Sequence, residues 1–163
     1  MRSIKKTALV CMLVMSFCLL TQVHVSAEDQ KETQTIVDGS ALIEGTFAQD
    51  VATILTRGNY LSNGVVQIQN MGNRVVAISG TTSCHLKCDQ VICNLYLEQL
   101  SDDGYWYTYD YWICSTTNAY TYSPTRTISV EGGHWYRARG AHSAIENGVR
   151  ESVSTRTNGI WIG

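Results

Sequence analysis

The stretch of sequence that decides the fold is residues 130–139, which read VEGGHWYRAR. Two glycines at a turn precede a run in which apolar and polar residues alternate, the pattern of a half-buried β-strand. The alternation predicts that Tyr136 and Ala138 face the core. The residues predicted to face solvent are Trp135, Arg137 and Arg139. A tyrosine in this position predicts a hydroxyl that binds back to the backbone of the preceding turn.

Other alternating segments extend the β pattern along the chain. The predicted strands are residues 64–69, 74–79, 91–98, 105–114, 125–130, 134–141 and 151–157. Turn residues separate several of them, including Asp102-Asp103-Gly104 and Asn147-Gly148. About seven short strands without a convincing long helix predict an all-β fold, an antiparallel immunoglobulin-like β-sandwich.

The predicted sandwich domain covers residues 47–163 and follows a flexible arm. Residues 28–46 are polar and lack sustained periodicity, which is typical of an arm without fixed structure. Residues 47–56 fit either a short helix with Phe47 and Val51 on one face or a first edge strand. The sequence leaves both open.

Residues 1–27 have the pattern of a secretory signal peptide. A basic start precedes an apolar run, shorter than the roughly 20 residues that span a bilayer, and Val25-Ser26-Ala27 fits a cleavage site. We therefore expect a secreted, extracellular protein without a stable membrane anchor. Cleavage removes three of the 12 basic residues and none of the 14 acidic ones, which takes the net charge from −2 to −5.

The composition restricts the class of protein. A chain of 163 residues with 44% hydrophobic and 16% charged residues suggests one globular domain. The aromatic content of 9% argues against a disordered chain. Because there is no excess of basic residues, nucleic acid is not expected as a partner.

A predicted hairpin of residues 91–98 and 105–114 supplies the first candidate binding surface. The register that places Cys93 opposite Tyr109 keeps Asp110 out of the core, where an unpaired carboxylate is costly. It leaves three aromatic residues exposed on one face, namely Tyr96, Trp106 and Trp112. Exposed aromatic rings stack on sugars or contact apolar partners. The alternative is that they pack under a loop or in the core.

A second candidate binding surface is the outward row Trp135, Arg137 and Arg139. The alternative is a solvated face supported by cation–π contacts. Both arginines are also placed to pair with Glu151 across the last hairpin, an exposed ion pair that contributes about 0–1 kcal/mol.

Four cysteines remain after cleavage, an even number that predicts disulfides in an oxidising compartment. The hairpin register places Cys88 opposite Cys114 and leaves Cys84 with Cys93, although four cysteines allow three pairings. The alternative is a metal site at Cys84-His85-x-x-Cys88. Its spacing matches no zinc pattern, so neither a metal nor a cofactor is expected.

No catalytic motif is present. The chain has no G-x-S-x-G, H-E-x-x-H or phosphate-binding glycine loop. Asp102 and Asp103 are adjacent at a hairpin tip, where turn formation explains them better than acid–base chemistry. No catalytic residues are predicted.

The C-terminal half resembles a known family. The string WYRARGAHSA at residues 135–144, followed by Glu151-Ser152 and by TNGIWI at 157–162, resembles a family of small secreted proteins of Gram-positive bacteria that carries a domain of unknown function. The resemblance covers residues 57–163. It implies a compact secreted β domain and transfers no site.

These patterns favour a non-catalytic extracellular binding module for a glycan, the cell wall or a protein surface. One alternative is a secreted effector or bacteriocin-like toxin. The predicted net charge of −5 argues against attraction of such a toxin to anionic lipid. The other is an extracellular hydrolase without a legible motif.

Overall fold

The structure, a computed structural model, describes residues 41–54 and 58–163. The predicted signal peptide and the predicted arm up to residue 40 lie outside the described residues. The ten strands are β1 (Leu42–Ile43), β2 (Phe47–Thr53), β3 (Leu61–Asn70), β4 (Val75–Leu100), β5 (Trp106–Trp112), β6 (Ser115–Tyr122), β7 (Thr125–Ser129), β8 (His134–Glu146), β9 (Val149–Arg156) and β10 (Gly159–Ile162). The all-β class is confirmed, and no helix among the described residues could cross a membrane.

The strand plan differs from the predicted seven-stranded antiparallel sandwich. Two predicted strands, 74–79 and 91–98, are parts of the single 26-residue strand β4. The first part of β4 pairs with β3 and β7, and the last part pairs with β8 and β5. β1 pairs with β10 in parallel, so the ten-stranded sheet is mixed. β4 therefore joins two regions of the sheet, one with β3 and β7 and the other with β8 and β5. The sequence did not predict one continuous strand because residues 80–90 lack a regular alternation of apolar and polar residues.

The core forms where these two regions face each other. Val66 and Ile78, from β3 and the first part of β4, pack in one cluster with Leu95, Leu97 and Ile160 from the other region. All five are fully buried. Burial of apolar side chains contributes about 1.5–3 kcal/mol each, so this cluster holds the curled sheet together.

Two residues that precede the predicted sandwich domain take part in the sheet. Leu42–Ile43, within the segment predicted to be a flexible arm, form β1 beside Gly159 and Ile160. Residues 47–53, for which helix and strand were both open, form the edge strand β2.

The predicted turns are confirmed. Asn147 and Gly148 have φ values of 50° and 76° between β8 and β9, as a tight hairpin turn requires. Gly104 has a φ of 83° in the turn before β5. These left-handed positions favour glycine and asparagine.

The hairpin of β4 and β5 has a different register from the predicted one. Leu95 pairs with Trp112 and Leu97 with Asp110, whereas beyond a β-bulge Glu98 pairs with Thr108. Tyr109 is the extra residue of the bulge. The bulge shifts the alternation, so that Trp106 and Trp112 lie on opposite faces of β5 although both are even-numbered.

Tyr136 makes the predicted bond to the turn. Its hydroxyl donates to the Glu131 carbonyl at 2.9 Å, and both Tyr136 and Ala138 are buried as predicted. Burial raises the pKa of Tyr136 to about 12, so the hydroxyl keeps its proton at neutral pH.

Removal of this hydroxyl is expected to destabilise the fold moderately. Tyr136→Phe should lower the free energy of unfolding by about 1 kcal/mol, because the ring stays and one buried hydrogen bond is lost. Urea denaturation followed by circular dichroism measures the change. Tyr120→Phe, at an exposed ring, is the matched control and should be neutral. Equal effects of the two variants would contradict a stabilising role for the hydrogen bond from Tyr136 to Glu131.

Candidate functional site

Glu98 connects two arginines on the outer face of the sheet. Arg137 Nε donates to Glu98 Oε2 at 2.7 Å and Arg139 Nε donates to Oε1 at 2.6 Å. The three residues share this face because Glu98 pairs with Arg137 across β4 and β8, and Arg139 is two residues further along β8. One carboxylate therefore holds both guanidinium groups.

Aromatic rings complete this group, which we call the arginine cluster (Tyr96, Glu98, Trp106, Arg137 and Arg139). Arg137 Cζ lies 4.3 Å from the centroid of Trp106, and Arg139 Cζ lies 3.7 Å from that of Tyr96. These are cation–π distances. Each guanidinium group thus makes two contacts, a hydrogen bond to the Glu98 carboxylate and a cation–π contact with an aromatic ring.

The arginine cluster is largely closed to solvent, which corrects the prediction of an open binding row. Glu98 is 6% and Arg137 is 3% exposed. Trp106 reaches across the face to Gly159, where an added Cβ would lie 2.8 Å from its ring. The sequence missed this because β1 and β10 were not predicted to lie beside β8.

The other two tryptophans of the predicted surfaces also pack internally. Trp112 packs against the main core. Trp135 is 7% exposed and meets Trp161 edge-on, with ring centroids 5.3 Å apart. Trp135 is therefore closed to a stacking ligand, whereas Trp112 remains partly exposed.

Glu151 has a role other than the predicted pairing with Arg137 and Arg139. Its carboxylate accepts the backbone N–H groups of Asn59, Tyr60 and Leu61 at 2.8–3.0 Å. These bonds lower its pKa against the effect of desolvation. Glu151 therefore fixes the start of β3.

Several exposed aromatic residues are tyrosines of the strand β5 and its flanks. We call this group the tyrosine edge (Tyr105, Tyr107, Tyr109, Tyr111 and Ile113). Its members are between 36% and 69% exposed. Among the described strands, β5 pairs with β4 alone. The predicted register had turned these tyrosines toward the core. The bulge turns Tyr111 to the opposite face, whereas Tyr107 pairs with Gln99 because the hairpin register is displaced by four residues from the predicted one.

Contacts with the rest of the fold support the tyrosine edge. Tyr109 meets the buried ring of Tyr136 edge-on at 5.4 Å, and Tyr111 stacks on Tyr96 at 6.2 Å. Tyr107 donates its hydroxyl to Asp103 Oδ2 at 2.8 Å. The rings are thus held in place while they remain exposed, which lowers the entropy that binding would cost.

Acidic residues lie along the tyrosine edge, and Arg126 lies at its C-terminal end, where Nη2 donates to Cys114 Sγ at 3.4 Å. Residues 101–125 contain Asp102, Asp103 and Asp110 and neither lysine nor arginine. The Tyr105 N–H and the Tyr107 hydroxyl hold the pKa of Asp103 below its usual range. Tyr107 and its neighbours therefore border fixed anions at neutral pH.

His142 is fully buried between β3 and β9. Its Nδ1 lies 2.8 Å from Thr82 Oγ1, and its Nε2 lies 2.7 Å from Thr155 Oγ1. Thr82 donates its hydroxyl hydrogen to the Ile92 carbonyl. Nδ1 therefore carries the ring hydrogen, and Nε2 accepts from Thr155. This arrangement fits a neutral imidazole that bridges strands rather than a solvent-accessible base.

The cysteines do not adopt the predicted arrangement. Cys88 pairs with Ala119 and lies outside the region facing Cys114, so the geometric basis for Cys88–Cys114 and Cys84–Cys93 is wrong. All four are free thiols in the structure. Within residues 41–54 and 58–163, no group of three or more His, Cys, Asp or Glu is arranged to hold a metal ion.

Comparison with known proteins places the chain in a family. No curated protein and no solved structure matches it. A family model described as "Family of unknown function (DUF6147)" matches residues 32–160. This confirms the expected resemblance at its coarser level, a family whose function is unknown. Since the match covers more than half of the sequence, the chain belongs to the family DUF6147.

Proposed function

We propose that this protein is a non-catalytic extracellular binding module whose contact surface is the tyrosine edge. The observation that carries the proposal is the row of exposed tyrosines on a strand with one strand partner. The extracellular location rests on the signal-peptide pattern of residues 1–27.

The shape of the tyrosine edge favours an extended peptide segment of a partner protein as its ligand. Tyr107 and Tyr111 lie on opposite faces of β5 because of the bulge. A strand added beside β5 would contact side chains on both faces and also the free backbone groups of the edge. A glycan would instead need several aromatic rings on one face of the sheet, on which its sugar units could stack.

The charge of the region favours a basic segment. The three aspartates of residues 101–125 have no neighbouring lysine or arginine in that stretch. Lysine and arginine side chains of a ligand would gain Coulomb attraction to Asp103 and cation–π contact with the tyrosines. Asp110 Oδ1 already accepts the Tyr111 N–H at 2.7 Å, so the added strand would use the other edge amides.

Fluorescence polarisation with a labelled peptide tests the proposal. The probe is an alternating Lys-Thr peptide of about 12 residues, long enough to span β5, with a Glu-Thr peptide of equal length as its control. We expect the Lys-Thr probe alone to bind, more weakly as salt increases. Tyr107→Ser/Tyr111→Ser should weaken binding by at least about tenfold.

A matched control shows whether the loss of binding depends on the position of the removed tyrosines or only on the number of tyrosines. Tyr120→Ser removes an exposed tyrosine of β6 and should bind as the unchanged protein does. Equal binding of both peptides, no binding of either, or equal losses in the two variants would overturn the proposal.

A further inference from the structure

Cys93 and Cys114 lie directly opposite each other on neighbouring strands. The pairs Leu95–Trp112 and Ile92–Ser115 flank them in a single register. Cys93 N–H donates to the Cys114 carbonyl at 2.9 Å, and both side chains are buried. Opposed residues of an antiparallel pair have Cα atoms about 4.5–5.5 Å apart, inside the roughly 4.4–6.8 Å that a disulfide spans.

Cys84 and Cys88 are brought together by a bulge in β4. Ser83 pairs with Thr121 and Cys88 with Ala119, so residues 84–87 stand opposite Tyr120 alone. The two cysteines pack in one small cluster. The intervening residues 85–87 of β4 are exposed.

We infer that the chain forms two disulfides, Cys93–Cys114 and Cys84–Cys88. In each, a bond forms between two Sγ atoms, and each thiol gives up one proton. The two electrons and two protons pass to a disulfide oxidant, either a small-molecule disulfide or an exported thiol–disulfide oxidoreductase, whose S–S bond breaks to give two thiols. This is one of the three pairings that four cysteines allow, and it differs from the predicted pairing of Cys88 with Cys114 and Cys84 with Cys93.

Oxidation takes place during folding. Burial raises the pKa of the Cys93 thiol to about 11 in the folded chain, and the thiolate is the reacting species. Before the strands close, both thiols are accessible to the oxidant. Cys93–Cys114 then becomes a buried crosslink between β4 and the segment that joins β5 to β6.

Peptide mapping of the full chain tests this pairing. The reduced, unfolded protein is refolded with oxidised and reduced glutathione, alkylated, and cut before aspartate. The fragment 50–88 holds Cys84 and Cys88, 89–101 holds Cys93, and 110–163 holds Cys114. Cys11 and Cys18 fall in a separate fragment, 1–28.

The two proposed bridges give a distinct pattern. We expect fragment 50–88 to be found on its own, with a mass lower by two hydrogens than that of its reduced form. Fragment 89–101 should be found joined to fragment 110–163. Any bridge from 50–88 to either other fragment would overturn the pairing, since both alternative pairings require it. Free thiols in 50–88 would overturn Cys84–Cys88, and an unlinked 89–101 would overturn Cys93–Cys114.

Graded reduction provides a second readout. Cys84 is partly exposed, whereas Cys93 and Cys114 are buried. Alkylation of 50–88 should therefore occur at reductant concentrations at least about tenfold lower than alkylation of 89–101. If both disulfides were reduced at the same reductant concentration, or if Cys93–Cys114 were reduced first, the assignment of one accessible and one buried disulfide would be contradicted.

Discussion

Glu98→Ala is expected to lower the free energy of unfolding by about 3–5 kcal/mol, the cost of breaking a buried ion pair by removing one of its members. The variant removes the carboxylate that binds both Arg137 and Arg139. Arg137 is the more affected of the two because its side chain is 3% exposed against 26% for Arg139. Guanidinium groups cannot lose their charge to relieve this cost.

Two further variants separate charge from packing in the arginine cluster. Glu98→Leu/Arg137→Met/Arg139→Met should recover much of the loss, since well-packed apolar residues often replace a buried ion pair without penalty. Asp102→Ala, at an exposed turn position, should change the unfolding free energy by less than about 0.5 kcal/mol. A Glu98→Ala variant as stable as Asp102→Ala, by urea denaturation, would show that the cluster is not structural.

Stability is expected to fall by about 3 kcal/mol between pH 6.5 and pH 4 because of His142. Burial lowers the pKa of His142 to about 4, against a smaller opposing effect of Asp50. The unfolded chain, with an ordinary histidine pKa near 6.5, binds a proton in this window and the folded chain does not. The contribution of His142 is therefore complete above about pH 6.5 and is lost as the pH falls toward 4.

His142→Gln isolates this contribution from that of other groups. Glutamine retains hydrogen-bonding atoms but does not titrate, so the difference in unfolding free energy between the two proteins should depend on pH in this window alone. Urea denaturation at half-unit pH steps measures it. His134→Gln, at a partly exposed histidine, is the control. A constant difference between pH 4 and 7 would contradict a buried neutral imidazole.

Local patterns in the sequence predicted the strands and turns with a clear period. Tyr136, Ala138 and the Asn147-Gly148 turn are where alternation and turn chemistry place them. Such features depend on residues within a few positions of each other, which a single sequence contains.

The exposed surface could not be predicted in the same way. One extra residue, Tyr109, shifts the alternation of β5, and nothing in the local composition marks it as a bulge. The bulge turns Trp112 toward the core and Tyr111 to the surface. Together with a slip of the hairpin by four residues, it moves Cys114 from opposite Cys88 to opposite Cys93. Likewise, the burial of Arg137 depends on a ring from β5 and a glycine of β10, contacts between distant parts of the chain.

Hydrogen exchange in the presence of the Lys-Thr peptide tests most directly whether the tyrosine edge is the contact surface. If it is, residues 106–112 of β5 should gain protection on addition of the peptide, and residues 134–139, which contain the arginines first predicted to bind a ligand, should not change. Protection confined to residues 134–139, or no change at β5 under conditions in which the peptide is bound, would contradict the account.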